Sequence, residues 1–218
     1  MDARQIRDAV IDAALGHVAF DGWTETTLRA AIADAGVDPV SARAQFPRGA
    51  VDLALAYHAR GDAAMVDYAK GLPADLGISG RVAAIIRRRL ELADREAVRR
   101  ASTLFALPHH AGDGARALWG TSDAIWRALG DTSEDVNWYT KRATLSGVYA
   151  ATVLFWLGDD SGDHHATWDF LNRRIADVMK IEGVKARARK NPLVRAAMLP
   201  FSVIRAPGRA DDMPGRMS

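Results

Sequence analysis

The sequence predicts an all-α protein: a bundle of about ten helices, with a helix-turn-helix-like unit at the N-terminus and an amphipathic helix at the C-terminus. Three observations carry that expectation. No segment of strand length alternates apolar and polar residues cleanly. Apolar residues recur instead at helical spacing along most of the chain. Glycine, proline and short Asp/Ser/Thr clusters interrupt the pattern where helices should begin and end.

The first helix is expected from Asp2 to Phe20, with Ile6, Val10, Ala13 and His17 on one stripe and Asp21-Gly22 ending it. A second covers Thr26 to Ala35 and stops at Gly36. A short third follows Asp38, an N-cap with Pro39 at the first helical position. The fourth spans Ala50 to Lys70, and Gly71 to Gly80, which contains Pro73 and Gly77, reads as a linker. Helical patterning resumes at Arg81 and runs, as two helices, to Leu107, where Pro108 closes it. From Ala115 to Leu129 the pattern is an amphipath, with Leu118, Trp119, Ser122, Ile125 and Trp126 on one face. Asp131-Thr132-Ser133 is read as the cap of a long helix reaching Leu157, and another helix runs from Asp163 to Glu182. Four units follow: 1–70, helix-turn-helix-like; 78–182, the main helical domain; 184–206, a basic amphipathic helix; and 207–218, a disordered tail rich in Pro and Gly.

Composition narrows the function. The 218 residues are 49% apolar and 26% charged, which is ordinary for a globular protein. The chain has no cysteine, so disulfides, thiolate nucleophiles and Cys-ligated metal centres are excluded. His109-His110 and His164-His165 lack the i, i+4 spacing of a helical metal site, and Glu91, Asp94 and Glu96 do not form the Glu-x-x-His motif of di-iron bundles. Arg87-Arg88-Arg89 and Arg99-Arg100 read as solvated helix faces. No phosphate loop, nucleophile elbow or catalytic set appears, so neither enzyme activity nor a metal or other cofactor is expected. No run reaches the roughly 18 apolar residues of a membrane span. The first twenty residues, with Asp2, Asp8 and Asp12, do not look like a targeting peptide, so a cytoplasmic protein is expected. Charge is uneven: residues 1–60 hold six Arg against eight Asp and Glu, whereas residues 180–218 hold nine Lys and Arg against three acids. The C-terminal end is the one suited to an anionic surface.

Three segments carry chemistry. Asp135, Trp138, Tyr139 and Arg142 are spaced i, i+3, i+4, i+7, which places them in one patch, and Trp and Tyr beside a charged pair is the composition of a protein–protein hot spot. The competing reading puts Asp135 in a capping box with Thr132 and Trp138 in the core. From Ala143 to Leu157 the helix is apolar or small nearly all round, as a helix at the centre of a bundle would be. Gly147, Ala150 and Ala151 leave room either for close helix packing or, with Leu104, Leu107, Leu118, Ile125 and Leu154, for the wall of an apolar pocket that takes an isoprenoid or acyl chain. Finally, the basic run with Lys185, Arg187, Arg189 and Lys190 precedes Asn191-Pro192, a good helix start. Leu193, Ala197, Phe201 and Ile204 then form a stripe, joined by Met198, with a kink at Pro200, as an in-plane membrane anchor would have; a terminal helix packed on its own domain is the alternative.

The string VIDAALGHVAFDGWTETTLRAAIADAGVD resembles the start of TetR-type regulators, with Phe46 where that family has an aromatic after its recognition helix. The pattern departs where DNA contact matters. Arg43 stands where the family usually has Tyr, and Gly49 or a neighbour stands where it usually has a phosphate-binding Lys. The unit is net acidic, so no nucleic-acid partner is expected. The strings LWGTSDAIWRALGDTSEDVNWYTKRATLSGVYAATVLFWLGDDS and TWDFLNRRIADVMKIEGVKA resemble the ubiquinone-biosynthesis accessory family called coenzyme Q protein nine. The resemblance implies a TetR-like fold that binds an isoprenoid quinone precursor, is not an enzyme, and assists a di-iron hydroxylase. It implies that the Trp138 patch, with Asp123, docks that hydroxylase, and that the C-terminal helix binds an anionic inner-membrane surface from the cytoplasmic side. A homodimer and a bacterial source are also implied. The alternative is a TetR-type regulator sensing an apolar ligand.

Overall fold

The computed structural model describes residues 1–73 and 75–188, with backbone alone over 181–188. Among the described residues there are nine α-helices, one 3₁₀ turn and no strand. The helices are α1 (Ala3–Asp21), α2 (Glu25–Asp34), α3 (Pro39–Ala44), α4 (Ala50–Lys70), α5 (Ile78–Glu91), α6 (Arg95–Phe105), α7 (Ala111–Ala128), α8 (Val136–Gly158) and α9 (His165–Ala188). Lys185, Arg187 and Ala188 belong to the last turns of α9. Arg189, Lys190, Leu193, Met198, Phe201 and Ile204, and the tail 207–218, lie outside the described residues.

Most helix starts follow from one side chain. Asp2 accepts from the Gln5 amide at 2.8 Å while the Gln5 side chain accepts from the Asp2 amide, a capping box. Thr24, Asp38 and Asp94 cap α2, α3 and α6 by accepting from the third residue of each helix, and Pro39 opens α3. The expected cap Asp131-Thr132-Ser133 is corrected: Asp135 caps α8, accepting from the Asn137 amide at 2.9 Å. The Asp131 carboxylate is engaged elsewhere, by Lys141 and Arg142. α7 begins at Ala111 and α5 at Ile78, both earlier than the pattern suggested.

Two apolar cores hold the bundle. Val10, Ile11 and Ala14 of α1, Leu28 and Ala31 of α2, Phe46, and Leu53 and Tyr57 of α4 form the first, against which α6 packs. Met65 and Ala69 of α4 join Ile85, Ile86 and Leu90 of α5, Ile125, Trp156 and Leu171 in the second. A fully buried Ile or Leu is worth about 1.5–3 kcal/mol, so α4, buried in both cores, couples them. Trp23, in the turn after α1, donates to the Ala97 carbonyl at 2.9 Å and thereby ties the N-terminal unit to α6.

The expectation that α8 is enclosed on every side is overturned. Its buried stripe runs through Leu145, Val148, Tyr149, Thr152 and Trp156, while Gly147 and Phe155 are exposed and Leu154 is 66% exposed. The neighbouring helices cover one side of α8 and leave an apolar flank open.

Candidate functional site

The centre of the α7–α8 contact is an arginine. Arg142 is 1% exposed. Its Nε donates to Asp123 at 2.6 Å, and one terminal nitrogen donates to Asp131 at 3.2 Å and to the Trp138 carbonyl at 3.1 Å. The second acid of each pair is shared outward: Asp123 also meets Arg127 at 2.8 Å, and Asp131 meets Lys141 at 2.6 Å. Burial alone would raise the Asp131 carboxyl, but hydrogen bonds from Lys141, Ser133 and Arg142 hold it below its ordinary value. The guanidinium carbon lies 4.0 Å from the Trp138 ring centroid. Trp138 in turn meets Tyr139 edge-on at 4.8 Å and Trp119 of α7 at 5.8 Å.

The sequence-derived patch is therefore brought together, with one correction. Asp135 and Tyr139 are exposed, Trp138 and Asp123 are half-buried, but Arg142 is not on the surface. Arg142 is the internal post on which the aromatic patch stands. Trp119 and Asp131 were missed as members: the first was absorbed into an apolar stripe, the second into a cap. The signal for Asp131 was available, because an acid just before a helix that opens with adjacent Lys141 and Arg142 within three turns has two cations to answer.

Toward the other end of α8, the helices α4, α6, α7 and α8 enclose an apolar cavity of about 390 Å³. Of the residues expected to wall it, Leu118, Ala150 and Leu154 do so. The other five do not. Ile125 is sealed in the second core, Leu104 packs on the first, Leu107 and Gly147 are exposed, and half-buried Ala151 is not part of the cavity lining. Positions 147, 150, 151 and 154 share one face by spacing, but only 150 and 154 line this cavity.

The far end of the cavity is polar, and nothing in the sequence reading anticipated it. Tyr57, His58, Arg89 and Tyr149 line it. Arg89 is 3% exposed, so the reading of the 87–89 run as a solvated face is corrected at that position. Its Nε donates to Asp62 at 2.9 Å and a terminal nitrogen to the His58 carbonyl at 3.0 Å. Asp62 also accepts from the Thr121 hydroxyl at 2.9 Å, and His58 Nε2 lies 2.8 Å from that hydroxyl. Burial works to raise the Asp62 carboxyl, and His58 and Arg89 together outweigh it, holding the group ionised. The helical spacing of His58 and Asp62 was the available signal. Gly61 makes room for the cation: a Cβ there would lie 2.4 Å from the Arg89 guanidinium carbon.

A second cavity, of about 520 Å³, lies between α5, α7, α8 and α9, with Val82, Leu145 and Val178 in its wall and Asp131, Ser133 and Lys141 at its edge. Among the described residues no helix is long and apolar enough to cross a membrane, and no three His, Asp or Glu converge as metal ligands would.

In the N-terminal unit one carboxylate accounts for both departures from the DNA-binding pattern. Glu25 accepts from Arg43 at 2.7 Å and from the Ala50 amide at 3.0 Å. It fills the space over Gly49 (φ 70°), where a Cβ would lie 1.7 Å from its oxygen. Arg48 is likewise engaged by Asp52 and by Asp113 of α7.

Residues 111–182 match the model of the COQ9 family. "Ubiquinone biosynthesis protein COQ9, mitochondrial" of Bos taurus is 42% identical over 82 residues, 38% of this chain and 26% of the relative. The proteins of that name from Drosophila melanogaster and Xenopus tropicalis are 28% and 29% identical over 83% and 80% of this chain. The chain thus spans about a quarter to three-fifths of the length of these relatives, 26% to 59%. Among solved structures, a TetR transcriptional regulator from Nitrosomonas europaea superposes with a TM-score of 0.61 at 23% identity, covering 78% of this chain and 95% of that one. That likeness establishes the fold as TetR-like.

Proposed function

We infer that this chain, whose residues 111–182 are of the COQ9 family, is a non-catalytic accessory protein of ubiquinone biosynthesis that carries an isoprenoid quinone precursor. The carrying observation is the apolar cavity between α4, α6, α7 and α8, open beside Leu154 and walled in part by the two helices, α7 and α8, that carry the aromatic patch. A polyprenyl chain is nearly insoluble in water, and a protein cleft that shields it lowers the cost of moving it to a soluble active site. In this reading the Trp119–Trp138–Tyr139 cluster is the face offered to the di-iron hydroxylase. Two half-buried tryptophans and an exposed tyrosine on a rigid post suit a hot spot, since little side-chain freedom of the tryptophans remains to be lost on docking. The basic end of α9 and the residues after it hold the protein at an anionic inner-membrane surface on the cytoplasmic side. A homodimer also belongs to this reading.

The test is organic extraction and mass spectrometry of freshly purified protein. Isoprenoid quinone or precursor at near-stoichiometric amount supports the carrier; a folded protein without lipid counts against it. Salt-dependent binding to its own promoter would favour the regulator reading instead, against which the engaged Arg43 and Arg48 weigh.

A further inference from the structure

The apolar cavity has a direction. Its mouth, beside Leu154 and the end of α6, is hydrocarbon, whereas its inner end carries Tyr57, His58, Arg89 and Tyr149. The groups at the inner end are almost all satisfied. Arg89 is paired with Asp62, His58 Nε2 and Asp62 are both bonded to Thr121, and the Tyr57 hydroxyl accepts from the Asp94 amide at 2.9 Å. Tyr149 is the exception. It is 3% exposed, and among the described residues its hydroxyl has no hydrogen-bond partner. Nor is that oxygen among the sealed, unpaired atoms of the interior, so it opens to the cavity.

A buried hydroxyl left without a partner is costly unless a ligand or water supplies one. Charge narrows what the ligand brings. Arg89 is paired with Asp62, and His58 Nε2 is turned to that same carboxylate at 3.4 Å and to Thr121, so neither basic group at the inner end is left over for an anionic head. A carboxylate or phosphate placed there would lose its water and gain no counter-charge. An oxygen acceptor without charge has no such cost. The volume, about 390 Å³, suits one substituted ring with a short length of chain.

We propose that the cavity binds its ligand head inward: an amphipathic molecule with an uncharged, oxygen-bearing head accepts a hydrogen bond from the Tyr149 hydroxyl, beside the neutral Arg89–Asp62 pair, and its apolar chain leaves past Leu154. This rests on the carrier reading and adds to it the orientation and the class of head. The ring is then held away from water until the ligand departs, and head chemistry as well as tail length decides what is carried.

The experiment uses the full chain and three probes. N-phenyl-1-naphthylamine, an uncharged dye, reports occupancy of the apolar cavity by fluorescence. A decyl-substituted dimethoxybenzoquinone and decanoate compete with it; they share a ten-carbon chain and differ in head charge. The quinone is expected to displace the dye at least tenfold more effectively than decanoate. Tyr149→Phe keeps the ring and removes only the unpaired hydroxyl; it should weaken the quinone about three- to tenfold and leave dye affinity unchanged. Leu154→Trp at the mouth should weaken dye and quinone together. Equal quinone affinity in Tyr149→Phe, or decanoate competing as well as the quinone, overturns the head-inward proposal while dye binding keeps the carrier reading. Wild-type protein that binds neither dye nor quinone overturns both. Leu154→Trp without effect on either moves the ligand to another cavity and overturns the proposal.

Discussion

Replacing Arg142 with methionine tests the buried post most directly. Methionine keeps much of the apolar stem and deletes the guanidinium, and with it the bonds at 2.6, 3.2 and 3.1 Å to Asp123, Asp131 and the Trp138 carbonyl. Removing one partner from a buried ion pair costs about 3–5 kcal/mol, chiefly because a charge is left stranded. Here the stranding is incomplete: Asp123 keeps Arg127, and Asp131 keeps Lys141. The lower end, about 3 kcal/mol, is therefore the expectation. At about 2–4 °C per kcal/mol for a chain of this size, the melting temperature should fall about 6–12 °C. Differential scanning calorimetry at neutral pH measures it. Adding Asp131→Asn to Arg142→Met should cost less than the two single losses summed, since the second change removes the charge the first one exposed. A single-variant shift under about 2 °C, or strict additivity in the pair, would refute the reasoning: the first would mean that the guanidinium contributes no net stability, the second that it is not coupled to Asp131.

Trp138→Ala should abolish capture of the hydroxylase in a pull-down while extracted lipid stays at the wild-type level; retention of both would remove the aromatic patch from docking. Deleting residues 184–218 should weaken flotation on vesicles containing anionic phospholipid, and unchanged flotation would place membrane contact elsewhere. Gly61→Ala is expected to lower the denaturation midpoint although alanine is the better helix former by about 1 kcal/mol, because the Arg89 guanidinium it displaces is pinned by Asp62 and the His58 carbonyl; a raised midpoint would contradict the packing described. Acid should destabilise the protein below about pH 4. Asp159, which accepts from Ser161 and twice from Thr167, is held far below its ordinary value of 3.8. A depressed carboxyl contributes stability in full above its unfolded value and loses it as pH falls toward the folded one. Urea midpoints between pH 5 and 3 should therefore drop, less steeply in Asp159→Asn, and equal slopes would exclude Asp159 as a contributor.

The helices were legible because their termini are chemical. Asp38-Pro39 and Gly22 mark ends that hold in three dimensions. The cap before α8 was misplaced because Asp131 and Asp135 both qualify locally, and only the cations of α8 decide which one is free to cap. The aromatic patch was legible for a related reason: helical spacing fixes which side chains share a face. Spacing does not fix depth, and Arg142 and Tyr139, three residues apart on that face, differ in burial: the first is held inside by Asp123 and Asp131, the second stays exposed. The polar end of the cavity was not legible. It gathers His58 from α4, Arg89 from α5 and Tyr149 from α8, and no local pattern records that three distant helices meet. Arg89 is one of three consecutive arginines, of which only the one facing Gly61 is buried.

Glu25 has a consequence that concerns ions in solution. A protein binds a polyanion largely by setting free the cations condensed on it, one for each phosphate it neutralises. Arg43 can neutralise a phosphate only by leaving Glu25, and Arg48 only by leaving Asp52 and Asp113. Each carboxylate so abandoned gathers a cation of its own. The exchange returns to the solution few more ions than it removes, and the entropic drive that serves a helix-turn-helix reader is close to cancelled within the unit itself.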